Sequence, residues 1–331
     1  MKRSTSSLYL AVLVAVATLD SCQKPYHEEN ERYVFVAANI KLPYWQREQA
    51  GFMDSAKVLK VKAEFIGPDR YDPDAELKSF QDAAASRPSG ILVSPARPEI
   101  FKDAINAAVQ AGIPVICVDS DSPASQRLLF IGTNNFRAGL ESGEQIAELM
   151  HGHGSVVLIT IPGQFNLDER AHGVEEAFKK YPSIHIGNIV NDSGVSHLAA
   201  DNLSTLLQNR APMDGILCLE ASGGPGAAKA LENVRMAGKI PIVAMDANPE
   251  TLDLISKGAI AATVAQKPYC MSFYGLRMLD DLHHNVVHQF LDWRTAPTSP
   301  LPRIIDTGTA VINAKNVEDF KDALSIIASK S

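Results

Sequence analysis

The sequence is poor in cysteine: only Cys22, Cys117, Cys218 and Cys270 occur in 331 residues. Their spacing fits no metal or redox motif, and with Cys22 set apart the odd remainder builds no disulfide framework. Cys117 and Cys218 lie inside apolar runs, where a thiol packs as a small hydrophobe. Basic blocks are missing too. Lys and Arg number 31 against 38 Asp and Glu, a formal net charge of −7, which argues against a nucleic-acid partner. No GxSxG elbow, no GxGxxG spacing and no Gly-Lys-Ser/Thr ending is present, so no catalytic residue or cofactor is assigned and an enzyme is not expected. Charge is low enough, and apolar content at 46% high enough, to exclude global disorder.

What is present begins with a leader. Met1-Lys2-Arg3 is a positive start, and the apolar run Leu8–Leu19 is too short to span a bilayer. It ends in Leu19-Asp20-Ser21-Cys22, which resembles the lipobox of bacterial lipoproteins. That resemblance implies cleavage of residues 1–21, lipidation of Cys22 and a polar tether over 22–32. Asp20 is unusual in such a motif. Gln23 after the cysteine favours an outer-membrane anchor over retention in the inner membrane, by the same resemblance.

From Tyr33 short apolar runs alternate with amphipathic stretches. Strands are expected at 33–39, 63–68, 90–95 and 113–118, separated by helices at 45–59, from Pro73, and at 98–111. The pattern restarts with strands at 154–160, 184–190, 214–220, 240–245 and 259–266, and helices at 166–181, 196–209, 224–237 and 250–257. A long helix over 268–289, a Pro-rich turn and late strands near 303–312 follow. Strands apolar on both faces belong to parallel sheets covered by helices. The expected fold is therefore α/β, two doubly wound units in one chain.

Two apolar runs almost repeat each other. "IPVICVDSDSP" (113–123) stops on Asp119 and "IPIVAMDANPE" (240–250) stops on Asp246. In parallel sheets ligands bind outside the carboxyl ends of the strands. A cleft between the two units would receive one aspartate from each. Asn248-Pro249 already supplies a helix start after Asp246, which leaves that carboxylate free for a ligand.

From Tyr33 to about Phe320 the chain resembles the ribose-binding-protein family, the type I periplasmic solute-binding proteins, and within it the sugar-binding branch. The stretches that carry the likeness are "NIKLPYWQREQAGF", "GILVSPARPEIFKDAINAAVQAGIPVICVDSD", "IGTNNFRAG", "DERAHGVEEAF", "IPIVAMDANPE" and "TVAQKP". The resemblance implies two Rossmann-like lobes joined by a three-crossover hinge, with an N-terminal lobe of 33–133 plus 267–303 and a C-terminal lobe of 134–266 plus 304–331. It also implies a site. Tyr44 and Trp45 flank the sugar ring, an aromatic face against the C–H face of the ligand. Asp119 and Asp246 accept from hydroxyls, each carboxylate offering about four lone-pair positions. Arg170 donates to ring and hydroxyl oxygens, and Gln266 both donates and accepts. Asn135, with Thr133 and Asn134, is a hinge and ligand candidate. Ser94 and Glu220 stand where members often carry asparagine; Leu42 and Asp168 also depart from the pattern. The site is thereby more acidic than a ribose site, which keeps a polyol or an amino sugar in play.

Other signals carry less. "SGGPG" (222–226) reads as a flexible helix entry. "HGHG" (151–154) and "LHHNVVH" (282–288) are histidine clusters; His284 and His288 are four apart, a metal-compatible spacing, but without a third ligand in view no metal is assigned. The expected protein is an extracytoplasmic, lipid-anchored monomer that captures a small sugar or polyol and delivers it to the permease subunits of an ABC importer. The alternative is a sensing input for a membrane kinase or chemoreceptor. A LacI-type regulator shares the core but needs an N-terminal helix-turn-helix, whose place the leader occupies.

Overall fold

A computed structural model describes residues 26–284 and 301–328 of the chain. The leader, Cys22, His288 and the expected helix beyond residue 284 lie outside the described residues.

Two six-stranded sheets account for all the described strands. The first contains β1 (Arg32–Val36), β2 (Lys62–Ile66), β3 (Gly90–Val93), β4 (Val115–Val118), β5 (Phe130–Gly132) and β11 (Ile304–Asp306), in the order β11-β5-β4-β3-β1-β2. The second contains β6 (His153–Thr160), β7 (Ser183–Asn191), β8 (Gly215–Cys218), β9 (Ile242–Met245), β10 (Ala262–Ala265) and β12 (Ala310–Asn313), in the order β12-β10-β9-β8-β6-β7. The two orders are the same once the chain positions are matched. Every pairing is parallel except β12 against β10. Central strands such as β3, β4, β8 and β9 are buried along their whole length, because helices cover both faces, and this explains their lack of polar alternation.

Helices α1 (Pro43–Leu59), α2 (Pro73–Ala85), α3 (Pro98–Gln110) and α9 (Pro268–His284) belong to the first unit. Helices α4 (Asn135–Leu149), α5 (Phe165–Phe178), α6 (Ser196–Gln208), α7 (Gly223–Asn233), α8 (Pro249–Ser256) and α10 (Val317–Ala328) belong to the second. Five of these helices open on proline, whose missing N–H is no loss in a first turn. Asp72 and Asn134 cap α2 and α4 through their side chains, accepting from Ala75 N at 3.1 Å and Arg137 N at 3.0 Å. Asn248 occupies the N-cap position of α8, but its side chain makes no capping bond.

Among the described residues the chain passes between the sheets three times: at 133–134, at 266–267 and at 307–309. The boundary expected at 303/304 shifts accordingly. Ile304–Asp306 pairs in parallel with Phe130–Gly132 and is part of the first sheet, not of the C-terminal lobe. The first and third passages are tied together, since Asp306 Oδ1 accepts from Asn134 N at 3.1 Å and Gly308 N at 2.8 Å. Thr307 N donates to Gly132 O at 2.8 Å.

Candidate functional site

The cleft lies between the two sheets, at the carboxyl ends of their strands. Each of its walls is a loop that follows a strand: Ala38 and Asn39 after β1, Asp119 after β4, Ile161 and Gln164 after β6, Gly194 after β7, Glu220 and Ala221 after β8, Asp246 after β9 and Gln266 after β10. Tyr44 and Trp45 close it from the first turn of α1; Asn166, Leu167 and Arg170 do so from α5. The space measures about 500 Å³, including what is open to solvent at its mouth, which suits a small solute.

Asp119 and Asp246 occupy equivalent places in the two lobes. Each takes its strand's last ladder bond, Asp119 N to Ile131 O at 3.2 Å and Asp246 N to Val264 O at 2.9 Å. Each then turns into the left-handed region, with φ of 63° and 69°, a conformation that aspartate tolerates better than most residues. The turn lifts both carboxylates off the sheet ends into the cleft.

The Asp119 carboxylate is held from several sides. Tyr44 donates its hydroxyl to Oδ1 at 2.5 Å, and Ser94 donates to Oδ2 at 3.2 Å. Asn166 Nδ2 reaches across from the other lobe to Oδ2 at 3.4 Å. Asp246 accepts from Gln266 Nε2 at 3.0 Å. Gln266 in turn accepts from Arg170 Nη2 at 2.8 Å, Asn135 accepts from Arg170 Nε at 2.9 Å, and the Leu219 carbonyl accepts from Nη1 at 2.7 Å. Arg170 is 1% exposed. Its guanidinium carries five N–H donors, so two remain for a bound molecule.

Burial dominates the electrostatics. It pushes the Asp246 carboxyl up to about 7 against the pull of Arg170. It raises Asp119 as well, opposed by Arg170, Tyr44 and Ser94. Glu220 is raised well above the ordinary carboxylate range, by burial and then by the adjacent Asp192. Its carboxylate oxygens are taken by the backbone N–H groups of Ser222 and Gly223 at the start of α7.

Seven of the residues expected from the sequence line the cleft together: Tyr44, Trp45, Asp119, Arg170, Glu220, Asp246 and Gln266. Ser94 and Asn135 do not. Both are buried one layer behind it, where they orient Asp119 and Arg170. Sequence reasoning passed over Asn39, Tyr71, Gln164 and Asn166, which also line it. Asn166 had a signal: it precedes Arg170 by four residues on a helix, and so shares its face.

This geometry has relatives. A sugar-binding protein of a sugar ABC transporter from Bacillus halodurans superposes with a TM-score of 0.77 at 35% identity, over 87% of this chain and 99% of that one. AraP, an arabinose-binding protein from Geobacillus stearothermophilus, matches with a TM-score of 0.72 at 33% identity, over 88% and 99% of the two chains. The D-allose-binding periplasmic protein of Escherichia coli K12 is 26% identical over 75% of this chain and 83% of its own. Residues 33–284 match the sequence model of the periplasmic binding protein domain. A two-lobed α/β fold, a cleft built from strand ends and that match lead to one conclusion: the chain belongs to the periplasmic binding protein family.

Proposed function

We infer that the cleft captures a small sugar outside the cytoplasm, and that the loaded protein delivers it to the membrane subunits of an ABC importer. The observation that carries this reading is the paired presentation of Asp119 and Asp246, one from each lobe, beside the aromatic side chains of Tyr44 and Trp45. Carboxylates accept hydrogen bonds from vicinal hydroxyls, Arg170 and Gln266 supply donors, and the indole of Trp45 offers an apolar face to the C–H side of a sugar ring. The relatives' sugar-binding names support the ligand class.

Because the ligand would touch residues of both lobes, it favours the arrangement in which the lobes are together, and hinge closure about the three passages follows from that differential affinity. Lipidation at Cys22 would leave the folded part tethered at a membrane surface, working as a monomer with the lobes bounded at the three passages. The reading is tested by a thermal-shift screen of the full chain in mild detergent against pentoses, hexoses, deoxysugars, polyols and amino sugars. Ligand at about 100 times its Kd adds roughly 2.7 kcal/mol, so one group of sugars is expected to raise the Tm by several degrees. A flat response to the whole panel would overturn the sugar assignment.

A further inference from the structure

At the opposite end of the first lobe from the cleft, four potential metal ligands converge. His27 comes from the segment ahead of β1, Glu31 from the residue just before that strand, and Asp280 and His284 from the last turn of α9. One ligand atom from each residue lies within 4.8 Å of the other three. His27 Nε2 is 3.1 Å from Asp280 Oδ1, and His284 Nε2 is 3.0 Å from Glu31 Oε1. In a tetrahedral zinc site with bonds of about 2.0–2.1 Å, neighbouring ligand atoms stand about 3.4 Å apart. Two of the pairs stand a few tenths of an ångström inside that separation, so a small outward shift of the side chains admits the ion.

Two further features fit the cluster to a cation. Glu31 is 5% exposed, and its Oε2 is buried with no hydrogen-bond partner among the described residues, a costly state for a carboxylate oxygen. The second is the orientation of His284. Its Nδ1 lies 2.8 Å from the backbone carbonyl of Asp280. A carbonyl only accepts, so Nδ1 carries the hydrogen, and Nε2 is left to face the Glu31 carboxylate through either a proton or a metal ion. Imidazole ligands are commonly fixed in this way, by a backbone carbonyl on the far nitrogen. Tyr33, fully buried, donates to Asp280 Oδ1 at 2.9 Å and would orient that ligand from behind. Charge also balances: two carboxylates and two neutral imidazoles neutralise one divalent cation.

We propose that His27, Glu31, Asp280 and His284 form a structural binding site for a divalent transition-metal ion of the zinc type, which clips the segment ahead of β1 to the end of α9. Two imidazoles and two carboxylates suit zinc among the biologically common ions. By sequence, His284 and His288 show a metal-compatible spacing but no third ligand, and no metal is assigned there. The fold instead supplies ligands that lie 253 positions apart in the chain.

The test uses the full chain, purified without a polyhistidine tag, stripped with chelator and titrated calorimetrically with zinc, then with cobalt(II) as a spectroscopic probe. The site predicts one zinc per chain, visible absorption bands of tetrahedral cobalt(II), and a Tm that rises by several degrees with zinc and returns with EDTA. His27→Ala and His284→Ala are each expected to weaken zinc binding by at least 10-fold, and Tyr33→Phe by about 10-fold through the ligand it orients. The isosteric Glu31→Gln separates ligation from folding: it retains the unliganded Tm but loses the zinc-dependent rise. A chain that takes up no zinc at micromolar concentration would overturn the proposal. So would binding of unchanged affinity in the His27→Ala/His284→Ala double variant, which would move the zinc to other residues such as His151 and His153.

Discussion

Asp119 and Asp246 combine two demands in one residue: a carboxylate for the cleft and a backbone at φ of 63° and 69°. Asparagine meets the second demand and removes the first; alanine meets neither. Left-handed backbone costs an ordinary L-residue about 1–2 kcal/mol. Asp119→Asn should therefore melt close to the native chain, whereas Asp119→Ala should lose at least that amount as well as the hydroxyl of Tyr44 as a bonded partner; differential scanning calorimetry of the two separates the contributions. The carboxyl groups also set a pH dependence. Burial holds Asp246 at about 7 and raises Asp119, Glu48, Glu76 and Glu220 above their ordinary range. Between about pH 4 and 7 the folded chain keeps protons that the unfolded chain has released, so its stability declines as pH rises through that window. The Tm of the empty protein is expected to be higher at pH 5.5 than at pH 8, with a shallower slope in Asp246→Asn; a Tm that climbs over this range contradicts it. At this scale the sequence was most legible where chemistry repeats, in the two "IP…D" strands. It was least legible where a side chain acts through another, as Ser94 acts through Asp119 and Asn135 through Arg170.

The element that aims Arg170 is the crossing of α4 and α5. Gly139 and Gly173 face each other there, and a Cβ on Gly139 would stand 1.9 Å from the carbonyl oxygen of Arg170, one on Gly173 2.0 Å from that of Phe136. Backbones that close bring Asn135 of α4 onto the guanidinium of Arg170. Gly139→Ala is expected to cost about 1–3 kcal/mol by overpacking and to weaken ligand binding too, although residue 139 does not line the cleft. Unchanged affinity in that variant, measured beside its Tm, would show that the crossing does not set the site. Of this pair, α5 is expected at 166–181 and runs over Phe165–Phe178, whereas α4 is not among the helices expected from the sequence. Helix α4, "NFRAGLESGEQIAEL", buries a face at helical spacing made largely of small residues, Ala138, Gly139, Ser142, Gly143 and Ala147, which a search for large apolar residues passes over, yet its glycines are what its packing uses. Strand β5 has three residues, too short to register an alternation. The buried parallel strands and the proline-led helices, by contrast, were plain within a few residues of their observed ends, because burial on both faces and fixed φ leave direct marks on composition.

At the scale of the whole molecule, two sheets of the same strand order face a common cleft, and short passages join them at 133–134, 266–267 and 307–309. The duplication was visible from the restart of the pattern at residue 154. The exchange of Ile304–Asp306 into the first sheet was not, since a short strand's partner is chosen by where the chain returns and not by its own residues. The central claim is that one ligand is gripped by both lobes at once. Isothermal titration with the sugar that gives the largest thermal shift, performed on the native chain, Asp119→Asn and Asp246→Asn, addresses it directly. A hydrogen bond to a charged group contributes about 1.5–3 kcal/mol, so each variant should bind at least 10-fold more weakly than the native chain, which should bind one equivalent. Native affinity in either variant would mean that the ligand rests on a single lobe and would contradict the account.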